Sequence, residues 1–457
     1  MVHRTLDRTA SQTSHTGGPR HASWDGSPSD VPYGAYVDPA VFSQERERIF
    51  QGPVWHYVAL ECEIPSPGDY VSVYIGTTPV VANRAADRGI HAFVNRCAHR
   101  GATVVRGRRG HCEGTHTCIY HQWTYDLQGR LVGVPYRRGL SGTGGFPEDF
   151  DPGQHGLRTL RVAVLHGIVF ATFDAGAPPL EIFLGRSAVE RLQRLFSRPV
   201  KVIGYQRQQI RANWKLMIEN VKDSYHGALL HAFNSKFGFF RSTQRGEVWV
   251  SDNGVHSMLT TYDTEGERVA ALMGGVTSYK PQLTLADSTM LSAVREFRDP
   301  IVTSIVSLFP SFLLLHTLNF LGFRSVWPKS PGEFEMVWTY LGYADDTPQM
   351  IDRRLRQLNL FGAGGYVSME DAHALELTQR AVSGEGGTGT GVAALGGRDT
   401  ATQDHLVTEV AIRGFWRGWR TLMESRGDDG SAADGVPAGK LPPAASTPGD
   451  PARVPPC

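Results

Sequence analysis

The stretch "NRCAHRGATVVRGRRGHCEGTHTCIYHQWTYD", residues 95–126, constrains this chain more than any other. It spells Cys97-x-His99, eighteen residues, then Cys118-x-x-His121. Thiols and imidazoles paired in this way are metal-ligand types. Their surroundings read as strands. "DYVSVYIGTTPVVANR" is β-branched and broken by the turn "GTTP". "LRVAVLHGIVFATF" holds two β runs split at His166-Gly167, and "GLSGTGGFPEDFDPGQHG" between them reads as loop. Both Cys/His pairs therefore belong on loops of a small, mostly β domain, expected over residues 54–175.

Four such ligands bind zinc well, but zinc fingers group both cysteines before both histidines. Here each loop contributes one of each. That suits a [2Fe-2S] cluster with two thiolates on one iron and two imidazoles on the other, the Rieske pattern. Neutral imidazole lowers the cluster's negative charge and raises its potential, so the expected task is electron transfer. On these residues alone a structural zinc site stays open. The other cysteines do not argue for disulfides: only five occur in 457 residues, Cys62 and Cys112 have no evident partners, and Cys457 ends the chain. A reducing cytoplasm fits. A formal net charge of +1 argues against bulk binding to nucleic acid. The start of the chain lacks the apolar core of a signal peptide. The most apolar long run, Ile301–Phe323, is interrupted by Pro310, His316 and Asn319, and reads as core strand and turn rather than a membrane span.

Residues 1–32 and 427–457 are rich in small and polar residues or proline, and are expected to be disordered. Residues 38–50 open with Asp-Pro and read as helix. Residues 176–426 read as a second domain of mixed helix and antiparallel sheet. In it, "NWKLMIENVKDSYHGALLHA", residues 213–232, reads as one helix. "SFLLLHTLNFLGFRSVWP" and "EFEMVWTYLGYA" read as two paired strands, and "MIDRRLRQLNLFG" and "MEDAHALELTQRAV" as helices flanking "GAGG". His226 and His231 stand five residues apart, about 140° around an ideal helix. Both reach one metal only if the helix is distorted between them, and Gly227 offers a place for that. Two histidines and one carboxylate leave open positions for dioxygen on an iron. The carboxylate must come from elsewhere in the chain, and Asp371, in "GYVSMEDAHALE" on a helix that follows a glycine-rich stretch, is the best candidate.

Together these motifs resemble the large (alpha) subunit of the Rieske non-haem iron aromatic-ring-hydroxylating oxygenases, over roughly residues 33–425. "NRCAHRGA" and "CIYHQWTYD" match the Rieske loops, although many members carry Gly where this chain has Gln122. "NWKLMIENVKDSYHGALLH" matches the mononuclear iron motif, and "NLFGAGGYVSMEDAHALELTQRA" the segment bringing its third ligand. "GVPYRRG", "DFDPGQHGL" and "GYADDTP" resemble the branch acting on aromatic carboxylates such as salicylate, benzoate or terephthalate.

The resemblance implies an α+β fold: an all-β Rieske domain and a catalytic domain with a large antiparallel sheet flanked by helices, helix-grip-like, with residues 33–53 packed on the latter as a helix. It implies that Cys97 and Cys118 hold one cluster iron and His99 and His121 the other. His226, His231 and Asp371 hold a mononuclear Fe(II), with Glu370 the second choice of carboxylate. Asp223 matches a carboxylate that links the two centres across neighbouring chains of a trimer. Tyr225 and Asn220 are expected near the iron. The implied reaction inserts oxygen from O2 into an aromatic ring, using electrons from NAD(P)H through a ferredoxin or reductase, with a small beta subunit as a further partner. Arg324 matches a carboxylate-binding arginine, and Asn220, Met217, Val221 and Phe320 are the other pocket candidates. Arg398 stands displaced from the second arginine of relatives that take dicarboxylates, which favours a monocarboxylate. Arg106, Arg108 and Arg109 form a basic run that either docks an acidic donor or is a solvated loop. A Rieske monooxygenase or O-demethylase acting on a non-carboxylate aromatic is the alternative.

Overall fold

The computed structural model describes residues 27–231, 233–234, 240–263, 282, 288–384 and 391–424. Most of the two terminal stretches expected to be disordered, 1–26 and 427–457, lies outside the described residues. The part of the first that is described is ordered into a strand: Asp30–Pro32 pairs antiparallel with Val392–Ala394.

Two seven-stranded antiparallel sheets make an α+β fold. The first runs His56–Leu60, Ile168–Thr172, Thr159–Leu165, Ile90–Val94, Thr78–Arg84, Asp69–Ile75 and Arg109–His111. Its hairpins close where the sequence places turns. At His166-Gly167 both residues have positive φ, the two-residue geometry that matches the twist of its flanking strands. A three-stranded sheet, Thr115–Thr117, Thr124–Asp126 and Leu131–Gly133, adjoins it and carries the second Cys/His pair on its first hairpin. The second large sheet runs Val200–Ile210, Glu333–Tyr343, Phe320–Ser330, Phe312–Thr317, Ile301–Leu308, Ser257–Tyr262 and Gly246–Val250. Helices Trp214–Lys222, Pro348–Phe361, Tyr366–Gly384 and Val410–Glu424 flank it.

Two expectations are corrected. "SFLLLHTLNFLGFRSVWP" is not one strand but a hairpin, Phe312–Thr317 and Phe320–Ser330, turning at Leu318-Asn319. No Gly or Pro marks that turn. Leu318 adopts φ 54°, and buried Asn319 fixes the corner through partners distant in sequence: its backbone N–H donates to Gln357 Oε1 and its side-chain amide to Val294 O and Glu296 Oε2. The second correction concerns residues 213–232. The helix ends at Lys222, because Asp223 turns extended (φ −86°, ψ 107°), and His226–Ala228 form a separate short 3-10 turn.

One large apolar core runs through both sheets, while a smaller one gathers Cys97, Cys118, Trp123, Tyr125 and Phe93. The sheets meet along a polar seam, and the basic run takes part in it. Arg109 bonds Glu63 at 2.9 Å and lies 3.6 Å over the Tyr205 ring, and Tyr205 also donates to Glu63. Arg108, Arg207 and Lys329 converge on Glu335. Arg108 and Arg109 therefore join the two sheets instead of forming a solvated loop or a free docking patch. Arg106 alone stays exposed.

Candidate metal centres and active-site cavity

The two Cys/His loops are built alike. Cys97 N–H donates to Ala102 O and Gly101 N–H to Cys97 O. In the second loop Cys118 N–H donates to Trp123 O and Gln122 N–H to Cys118 O. Each loop thus closes around its cysteine carbonyl with a left-handed residue at the same place, Gly101 (φ 77°) and Gln122 (φ 56°). The cysteines are buried, at 3% and 1% exposure, and the histidines lie nearer the surface, with ring centroids 4.5 Å apart. His99 stacks on Trp123 at 4.8 Å, and its Nδ1 is buried without a hydrogen-bond partner. Tyr125 Oη stands 3.2 Å from Cys97 Sγ and accepts from Ala98 N–H. Two buried thiols, two adjacent imidazoles and an orphaned ring nitrogen fit a [2Fe-2S] cluster with mixed ligands.

The second centre starts from Asn213, whose side chain caps the Trp214–Lys222 helix by accepting from Lys215 N–H. After the helix stops, Asp223 Oδ1 accepts from Tyr225 N–H at 2.7 Å and His226 N–H at 3.3 Å, which starts the next turn. That break brings His226 and His231 together without a distorted helix. Gly227 matters for packing instead: a Cβ there would meet Phe240 at 2.9 Å. The ligand atoms of His226, His231 and Asp371 all lie within 4.8 Å of one another. Both Nε2 atoms face Asp371 Oδ1, at 3.4 and 3.2 Å. Both Nδ1 atoms face outward to carboxylates. His231 Nδ1 bonds Glu370 Oε2 at 2.9 Å, and His226 Nδ1 lies 3.1 Å from Asp223 Oδ2, off the hydrogen-bond axis.

Glu370 and Asp371 are neighbours on the Tyr366–Gly384 helix, so one reaches the centre and the other the back of His231. Asn220 donates to Asp371 Oδ1 at 3.0 Å. Burial disfavours charge on His226, yet Asp223 and Asp371 outweigh it and lift its pKa to about 9. Burial raises Asp371, but the two imidazoles hold it well below the carboxylate range. A buried, electron-rich pocket that asks for positive charge, with imidazole Nε2 atoms fixed by carboxylates behind them, fits a two-histidine, one-carboxylate metal site.

Beside this centre lies a cavity lined on the helix side by Asn220, Val221 and Phe361, and on the sheet side by Ile305, Leu315 and Arg324. Arg324 is 6% exposed. Its guanidinium lies 5.1 Å over the Trp338 ring, and its buried Nε has no hydrogen-bond partner. Burial pushes its pKa down to about 10. Of the other pocket candidates, Met217 and Phe320 do not line the cavity among the described residues: both are 1% exposed core, and Phe320 packs behind Phe361 at 5.7 Å. Tyr225 is 47% exposed rather than turned to the metal site, and Arg398 is exposed and away from the cavity. Sequence reasoning missed Glu370 as the support of His231, Tyr125 beside Cys97, and Thr303, Thr317, Asn234 and Ser368 in the cavity wall. The alternation of strand 301–308 marks Thr303 and Ile305 as one face, but only the fold shows what that face meets.

Comparison with known proteins bears on all three features. Residues 54–144 match the Rieske [2Fe-2S] domain and residues 196–425 the ring hydroxylating alpha subunit (catalytic domain). The chain is 43% identical to an anthranilate 1,2-dioxygenase large subunit of Burkholderia cepacia, over 86% of this chain and 93% of that one. It is 40% identical to a terephthalate 1,2-dioxygenase terminal oxygenase alpha subunit of Comamonas sp, over 88% and 97%. Among solved structures, naphthalene 1,2-dioxygenase from Rhodococcus sp. bound to indole superposes with a TM-score of 0.72 at 26% identity, covering 87% of this chain and 95% of that one.

Proposed function

The chain belongs to the ring-hydroxylating oxygenase alpha subunits, Rieske [2Fe-2S] enzymes with a mononuclear-iron catalytic domain, and on that premise we propose that it hydroxylates the ring of an aromatic monocarboxylate. The observation that carries this reading is Arg324: a buried guanidinium with an unpartnered Nε, facing a cavity that adjoins the His226/His231/Asp371 centre. Its charged neighbour is Asp371, already engaged by the two imidazoles, and a carboxylate ligand offers the unpartnered Nε a charged acceptor. No second Arg or Lys lines the cavity among the described residues, which supports one carboxylate rather than two. The similarity to the anthranilate and terephthalate enzymes agrees with an acid substrate.

In this reading Cys97, His99, Cys118 and His121 hold the cluster, and His226, His231 and Asp371 hold iron. The cluster supplies electrons singly, and the iron, with open positions, supplies reductive dioxygen activation. The chain's own residues do the positioning. Asp223 and Glu370 orient the two imidazoles, Asn220 holds Asp371 by a hydrogen bond to Oδ1, the oxygen that faces both imidazoles, and Arg324 fixes the ring by its carboxylate. Electrons come from NAD(P)H through a ferredoxin or reductase, in the cytoplasm, where unpaired Cys62 and Cys112 are at home. No helix among the described residues is long and apolar enough to cross a membrane. The working unit is a homotrimer, with a small beta subunit, in which Asp223 of one chain couples its iron site to a neighbour's cluster. Exposed Ile119 and Tyr120 beside His121, and Tyr225 and Leu229 beside Asp223, support such faces.

The test is NADH- and oxygen-dependent turnover of benzoate, anthranilate, salicylate and terephthalate with a reductase, with products identified by mass. A ring-hydroxylated monocarboxylate is expected. Arg324→Gln should raise KM for it about 100-fold while leaving the Rieske absorption intact. Equal turnover of neutral aromatics by the wild type would refute the carboxylate reading.

A further inference from the structure

The sheet face beneath the cavity can be followed row by row through its register. In one row Arg324 pairs with Leu313, and Leu313 with Ser307. In the next, Gly322, Leu315, Ile305 and Leu259 stand side by side. In the third, Phe320 is followed by Thr317, Thr303 and Thr261. Residues directly opposite on paired strands share a face, so the members of these rows that line the cavity, Arg324, Leu315, Ile305, Leu259, Thr317 and Thr303, belong to one floor. It is cationic at one end, aliphatic in the middle and hydroxylic at the other. Arg324 and Phe320, the partner of Thr317, are four residues apart, about 14 Å of strand at ~3.4 Å per residue. That is about the span of a guanidinium, a benzoate ring and a hydrogen bond laid end to end.

The hydroxyl end is not self-sufficient. Thr303 and Thr317, both in the cavity wall, are bonded to each other at 2.9 Å. One hydroxyl donates to the other, which leaves one O–H proton and free lone pairs. Thr261, the third rung, is fully buried and its Oγ1 has no hydrogen-bond partner. Such a pair can donate to and accept from a neutral polar group. It suits a second carboxylate poorly, because it offers little donation and no positive charge. A methyl group would leave that remaining O–H proton without a partner.

Resting on the aromatic-carboxylate reading, we propose that this cavity selects an acid carrying a neutral hydrogen-bonding substituent, a hydroxyl or amino group, across the ring from its carboxylate, and that the Thr303–Thr317 pair recognises that substituent. The pair is a specificity determinant, acting on the end of the substrate that Arg324 does not hold.

The experiment compares para-hydroxybenzoate, para-aminobenzoate, para-toluate, terephthalate and salicylate with the complete enzyme and its reductase. Equilibrium dialysis of the same radiolabelled acids against iron-free protein gives binding separately from turnover. The wild type should favour para-hydroxybenzoate over para-toluate in kcat/KM roughly ten- to hundredfold, with the same order in dialysis. Thr303→Val with Thr317→Val should reverse that order, and Thr303→Ser with Thr317→Ser should keep it. The serine pair also serves as the readout should the valine pair fail to fold, since in it the preference must survive the loss of both methyl groups. Visible absorption and iron content check that each variant is loaded. A wild-type preference for para-toluate or salicylate, or an unchanged ratio in a loaded valine pair, overturns the proposal while acid turnover leaves the carboxylate reading standing. If no acid binds or turns over, the carboxylate reading falls, and the proposal with it.

Discussion

At the scale of single residues, Gln122 shows how a departure from a family pattern is felt physically. It sits where its twin loop has Gly101, with φ 56° against 77°, and an L side chain in that region is strained by roughly 1 kcal/mol. A Cβ at Gly101 would meet nothing nearer than the Arg96 side chain at 3.9 Å, so the difference is backbone strain and not crowding. Gln122→Gly should therefore raise stability by up to about 1 kcal/mol, and Gly101→Gln should lower it by a similar amount. Thermal unfolding followed by the visible absorption of the cluster reads both. If Gln122→Gly lowers the melting temperature, the exposed Gln122 side chain stabilises the loop in some other way. The sequence already marked this position as unusual. What it hid was the equivalence of the two loops, because Cys-x-His and Cys-x-x-His differ in spacing while their backbone hydrogen bonds agree.

At the scale of elements, the helix before the iron ligands is held by a buried polar knot. Glu45, fully buried at the end of the Pro39–Glu45 helix, accepts from Trp214 Nε1 at 2.8 Å and Trp419 Nε1 at 2.9 Å, and pairs with buried Lys215 Nζ at 2.7 Å. Three helices distant in sequence thus meet at one carboxylate. Removing one partner strands a buried charge, so Glu45→Ala should destabilise the protein by about 3–5 kcal/mol, whereas Glu45→Leu with Lys215→Met should recover much of that. Urea midpoints of the three proteins decide it. A double variant no better than Glu45→Ala would show that the tryptophan hydrogen bonds, and not the charge pair, dominate. Helices and hairpins here were readable where composition marks them, as at Asp38-Pro39 and His166-Gly167. They were not readable at Leu318-Asn319 or at Asp223, where side chains far along the chain or just ahead of the break impose the turn.

At the scale of the whole molecule, the two sheets are clamped by Arg109 on Glu63 and Tyr205 and by three cations on Glu335, which fixes the cluster loops relative to the catalytic sheet within one chain. In the proposed trimer, coupling between chains would fall to Asp223, whose Oδ1 is spent on its own turn and whose Oδ2 faces His226. Asp223→Asn should leave both iron contents near wild type and slow turnover about 100-fold. Mixing the reduced protein with oxygen and substrate should leave its cluster reduced. A variant that reoxidises its cluster at the wild-type rate would remove Asp223 from the electron path.

The amino-acid sequence by itself marked the candidate metal ligands, with Glu370 as the alternative to Asp371, and the strand-rich regions, because ligand types at fixed spacing and strand periodicity are local properties. Only the tertiary structure decided which carboxylate faces the centre and which stands behind His231, that Met217 and Phe320 are core, and that the basic run is a seam. It also set Arg324 and the threonine row at opposite ends of one cavity floor. Those outcomes depend on register and packing between segments 151 residues apart or more, such as Asn220 and Asp371 or Arg108 and Glu335, and no local pattern encodes them.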